Sequence, residues 1–97
     1  MNRDEAITRI RKALKNRSAK SWSVTGGRGT DWGWLTIQAP PSRRETACDY
    51  MTAEDCRELG ELLGHHDATS RQGEDVSPDE YVEYVRRAEG MRVDAAC

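Results

Sequence analysis

Trp32 and Trp34 stand on either side of Gly33 in the stretch TGGRGTDWGW, residues 25–34, with Arg28 just upstream and Arg43 and Arg44 beyond Pro40 and Pro41. Flat indoles beside arginines suit two kinds of partner. Bases of single-stranded nucleic acid stack on such rings at about 1–3 kcal/mol each while guanidinium groups neutralise phosphates. Protein interfaces concentrate their binding energy in the same two residue types. The competing use is structural: the chain contains no phenylalanine, so three tryptophans and three tyrosines are all its aromatic bulk, and a small core needs such side chains.

Other chemistry is weakly represented. The glycines read G-x-G-x-x-x-G from Gly27 to Gly33, one residue off the dinucleotide fingerprint and leading into a strand instead of a helix, and no G-K-[ST] follows. His65, His66 and Asp67 lie just past a helix stop, where a solvated turn is expected in the absence of a pocket and an orienting partner. Cys48, Cys56 and Cys97 are odd in number and form no C-x-x-C. A metal site drawn from Cys48, Cys56, His65 and His66 would need an unusual spacing. The expectation is therefore a protein that is no enzyme and carries neither metal nor cofactor.

The thiols fit a reducing compartment. The N-terminus MNRDEAITRI has no apolar stretch, and no apolar run approaches the ~18 residues of a membrane span. A cytoplasmic protein without a membrane partner is expected.

The elements that position the tryptophans follow from periodicity. Asn2 can cap a first helix, with Glu5 reaching back, and Ile7, Ile10, Ala13 and Leu14 recur on one side of it up to about Asn16. Arg9, Lys12 and Lys15 then face outward. SWSVT alternates, GGRG turns the chain and WGWLTIQA alternates again, which reads as a β-hairpin closed by the two prolines. A short third strand is possible at 45–50. Thr52 with an acid three residues on, and Ser77 with Pro78 and Glu80, start two more helices. The second of these carries the stripe Tyr81, Val82, Val85 and Ala88. HHDATSRQGED between them reads as loop. The predicted fold is α+β in the order α-β-β-(β)-α-α, one domain over residues 1–90 with a loosely held tail at 91–97.

Hairpin register decides what the tryptophans do, because a slip of one residue flips a whole strand. If Trp22 pairs near Leu35, one face collects Trp22, Val24, Leu35 and Ile37 and leaves Trp32 and Trp34 among serine, threonine and glutamine. If Trp22 pairs with Trp34, all three tryptophans share a face. The first register is favoured because it gives the sheet one apolar and one mostly polar side.

Net charge is −2, but residues 1–44 carry ten Lys/Arg against three Asp/Glu and residues 45–97 carry five against fourteen, +7 against −9. Either the halves mate, within the chain or head to tail in a homodimer, or the basic half is a surface for phosphate or for an acidic partner.

The segments RDEAITRIRKAL, KxWSVTGGRGTxWGWxxIxAPP, YMTxxDxxELxELLG and YVxxxxRAEG, which cover most of residues 3–90, resemble a group of small bacterial proteins associated with phage and plasmid-like regions. The group brings no activity, catalytic residue or cofactor. The resemblance implies a small non-enzymatic protein of a mobile element that binds a host complex, protein or ribonucleoprotein, in the sharpest case as an inhibitor of a CRISPR-type defence complex. The binding residues expected are Trp32, Trp34, Arg28, Arg43 and Arg44, joined by Arg9, Lys12 and Lys15 if the protein is instead a nucleic-acid-binding module. A homodimeric structural protein is the third reading.

Overall fold

The structure, a computed structural model, describes residues 1–43, 50–65 and 68–91. Its elements are α1 (Arg3–Ser18), β1 (Ser23–Gly26), β2 (Leu35–Gln38), α2 (Ala53–Leu62), β3 (Glu74–Val76) and α3 (Tyr81–Ala88), with 3-10 turns at Gly29–Asp31, Pro41–Arg43 and Pro78–Glu80. The class is α+β, as the periodicities predict.

Each helix begins where a side chain can satisfy its free amides. The Asn2 carboxamide accepts from the Glu5 amide at 2.8 Å and the Thr52 hydroxyl from the Asp55 amide at 3.2 Å. Ser77 and Glu80 form a complete capping box ahead of α3. α1 runs two residues beyond the expected end and stops at Ala19, whose φ of 61° breaks the helix.

The sheet is antiparallel in the order β1-β2-β3. Its third strand is not the one considered at 45–50, of which residues 45–49 lie outside the described residues. It comes from the end of the expected loop: Thr36 faces Asp75 and Leu35 faces Val76. Sequence conceals such a strand, because Glu-Asp-Val has low strand propensity and a single apolar residue. Pairing with β2 and the burial of Val76 hold it instead.

The β1–β2 register pairs Val24 with Ile37 and Gly26 with Leu35. Leu35 therefore stands opposite Gly26, not Trp22, yet alternation puts Trp22, Val24, Leu35, Ile37 and Val76 on one fully buried face. Onto it pack Ile10 and Leu14 of α1, Leu59 of α2, and Tyr84, Val85 and Ala88 of α3. In α3, Tyr84 takes the inward place expected for Val82, which is 47% exposed; Tyr81, Tyr84, Val85 and Ala88 follow the i, i+3, i+4, i+7 rule. The Trp22 indole donates to the Ser18 hydroxyl at 2.7 Å, satisfying its one polar atom. Lys20 lies over the same ring and ties α2 down through Asp55, at 2.9 Å, and Glu58.

Candidate functional site

The hairpin connection is wider than a tight turn. Strand pairing ends at Gly26 and resumes at Leu35, so Trp32 and Trp34 sit in the loop and not on β2. Gly29, at φ +62°, starts the 3-10 turn, and Trp32 follows it in helical geometry, which no strand residue adopts. The loop is closed from within: the Trp32 amide donates to Gly29, the Trp34 amide to Asp31 and the Gly27 amide to Trp34, at 2.8–3.2 Å.

The glycines answer to close approach, not to phosphate. A Cβ on Gly26 would collide with the Arg3 guanidinium at 2.1 Å, and one on Gly33 with Pro78 Cγ at 2.6 Å. Tyr81 adds a hydroxyl donated to the Gly33 carbonyl at 2.5 Å. Thus α1 and the start of α3 grip the loop from two sides. The tryptophans are held by backbone while their rings face water, Trp32 at 61% exposure and Trp34 at 45%, against 1% for Trp22.

The two exposed rings have opposite electrostatic surroundings. The Arg3 guanidinium lies 4.5 Å from the centre of the Trp32 ring, within cation–π range. Trp34 instead walls a cavity of about 300 Å³ on the outer face of the sheet with Gly27, Asp31, Thr36 and Asp75. No ring–ring contact joins Trp32 to Trp34. A single aromatic platform is thereby replaced by two separate positions, one backed by a cation and one flanked by carboxylates.

The remaining predicted residues fall into two sets. Arg28, exposed, opens the 3-10 turn of the same loop. Arg43 closes the turn that follows β2, and Arg44 lies outside the described residues. Arg9 and Lys12 lie elsewhere, lining a cavity of about 310 Å³ with Ala13, Asn16, Arg17 and Glu89 between α1 and the end of α3. Arg9 is engaged there by Glu89 at 3.3 Å, and one Arg17 nitrogen donates to the carbonyls of Leu62, Arg87 and Ala88. Lys15 is exposed on α1.

Spacing gives no hint of Arg3 or Asp75, since their roles arise from contacts between elements distant in sequence. Alternation on a three-stranded sheet places Asp75 beside Thr36 once β3 is recognised.

Titratable groups also lie beneath the sheet. Burial, followed by the hydrogen bond that its hydroxyl donates to Glu74 at 2.5 Å, raises the Tyr84 phenol above its usual range. His65 Nε2 stands 3.3 Å from the same carboxylate without hydrogen-bond alignment. Burial likewise raises the Cys56 thiol. His66, Asp67, Cys48 and Cys97 lie outside the described residues. Among the described residues no three His, Cys, Asp or Glu side chains gather as a metal site, and no helix is long and apolar enough to cross a membrane. No protein-family model, curated protein or solved structure matches this chain.

Proposed function

We propose that the protein is a non-catalytic binding protein that docks on a macromolecular partner through its hairpin loop, with Trp32, Trp34 and Arg28 as the contact residues. Arg43 and Arg44 extend the contact past β2. One observation carries this reading: a backbone-fixed loop holds two of the chain's three tryptophans at 61% and 45% exposure. Full burial of a large apolar side chain contributes about 1.5–3 kcal/mol, and the exposed parts of these two rings forgo a share of it in a domain with a small core. A partner that covers the rings recovers that energy.

In its sharpest form the partner is a host defence complex of the CRISPR type, and the protein is a cytoplasmic inhibitor made by a mobile element. That step rests on the resemblance of the four segments quoted above. The test of docking is comparative. The tagged protein and its Trp32→Ala/Trp34→Ala variant are passed through nuclease-treated bacterial lysate. The reading predicts a protein retained by the first and lost by the second, and equal retention by both contradicts it.

A nucleic-acid module is the second reading, favoured at one point by Arg3 over the Trp32 ring and by Arg28 on the same loop. It predicts oligonucleotide binding that weakens by a large factor between 50 and 200 mM salt. Asp31 and Asp75 oppose phosphate at Trp34. The homodimeric structural reading predicts a mass in light scattering that rises with concentration.

A further inference from the structure

We infer that the outer face of the sheet, at the cavity walled by Trp34, Asp31, Thr36, Asp75 and Gly27, takes an arginine or lysine side chain presented by an extended basic segment of a protein partner. This rests on the docking reading above and names the chemistry of what docks.

The inner face of the sheet is filled by the core. The outer face consists of Ser23 and Thr25 from β1, Thr36 and Gln38 from β2, and Asp75 from β3, none of them buried. Trp34 rises at its end with 45% exposure. A cavity of about 300 Å³ is at the lower limit for a small-molecule site, room for one long side chain more than for a cofactor.

Charge selects the occupant. Among the described residues, neither Asp31 nor Asp75 has a basic partner, and Asp75 receives only the Thr36 hydroxyl at 3.2 Å. A guanidinium or ammonium on the open indole face would meet the ring's negative quadrupole and two carboxylates together. A phosphate would meet those carboxylates as like charges. The same molecule shows the pairing at Trp32, where its own Arg3 lies 4.5 Å from the ring centre. Among the described residues Trp34 has the acids but no arginine, and an external cation completes the site. On this face Thr36 already bonds Asp75 and Gln38 donates to the Gln72 carbonyl at 2.8 Å, which leaves the Ser23 and Thr25 hydroxyls for the backbone that carries the cation.

The test is a titration of the intact protein with hexaarginine, followed through the indole N–H signals in nitrogen-edited NMR, with hexaglutamate as the opposite-charge control. The expected result is a saturable shift of the Trp34 indole with hexaarginine and none with hexaglutamate. Affinity should fall at least ten-fold in Asp31→Asn/Asp75→Asn and in Trp34→Leu. All of these side chains are exposed, so the urea midpoints should stay with the parent and exclude unfolding as the cause. Hexaarginine binding that survives the double Asn variant or Trp34→Leu overturns the inference, as does an equal response to hexaglutamate or no response to either peptide. The two readings fail separately. Loss of lysate retention in Trp32→Ala/Trp34→Ala without hexaarginine binding removes the cationic occupant and keeps docking, whereas unchanged lysate retention removes docking itself.

Discussion

The two faces of one three-stranded sheet treat tryptophan in opposite ways. On the inner face Trp22 is 1% exposed, donates its indole proton to Ser18 and is enclosed by three helices. At the outer face Trp34 is 45% exposed beside Asp31 and Asp75, and Trp32, on the same loop, lies open with Arg3 against it. The residue type is the same and the separation is 10–12 positions, so composition cannot tell the roles apart. What distinguishes them is where each stands relative to the strands. Trp22 shares the inward side of β1 with Val24, whereas the loop releases Trp32 and Trp34 before β2 begins. Energy spent on the fold and surface reserved for contact are thus separated within one hairpin.

Substitutions should reproduce this contrast. Trp22→Ala removes a fully buried ring and should cost about 3–5 kcal/mol, enough to leave the chain largely unfolded at a typical domain stability; urea denaturation followed by circular dichroism measures it. Gly33→Ala drives a methyl group into Pro78 at the point where α3 grips the loop and should cost about 1–3 kcal/mol as overpacking. It should also shift the Trp34 indole signal, which a loop independent of α3 would leave unmoved.

Alkaline pH should weaken the inner side selectively. The folded state raises the Tyr84 phenol by burial and by its bond to Glu74. It also raises the Lys20 ammonium, where burial pulls the other way but is outweighed by Glu58 and Asp55. A group raised on folding contributes its full stabilisation below its unfolded pKa, about 10 for both, and loses it as pH climbs through the folded value. Urea midpoints should therefore fall from pH about 10 upward, and Tyr84→Phe should flatten that fall; an unchanged slope in Tyr84→Phe would place the effect elsewhere. The smallest effect belongs to the outer face. Trp34→Ala should change stability by no more than about 0.5 kcal/mol, and a cost near that of Trp22→Ala would show that the outer ring is core.

Much of the scaffold is legible in the sequence because it is local. Asn2, Thr52 and Ser77 announce their helices, and alternation along SWSV and LTIQ is enough to assign the buried face. The helical stripes are legible too, and the stripe read through Val82 is corrected by the spacing itself, since i, i+3, i+4 and i+7 from Tyr81 are Tyr81, Tyr84, Val85 and Ala88. β3 is not legible: Glu74 and Asp75 become strand only because β2 offers them a partner. The candidate site is half legible. Its tryptophans and Arg28 are visible as an unusual local composition. Arg3 reaches Trp32 across 29 positions, and Asp75 reaches Trp34 only through the sheet, so the opposite surroundings of the two rings are products of tertiary packing. A strand running through the loop would merge them into one platform.

The central claim, that one tryptophan is core while two are presented, is tested most directly by adding an inert paramagnetic solute and recording the three indole N–H signals. The account predicts that Trp32 and Trp34 broaden strongly and exchange quickly with solvent, while the Trp22 signal stays sharp behind its bond to Ser18. A Trp34 signal as protected as that of Trp22 would mean that the outer face is covered, and would contradict the docking surface and the cation site together.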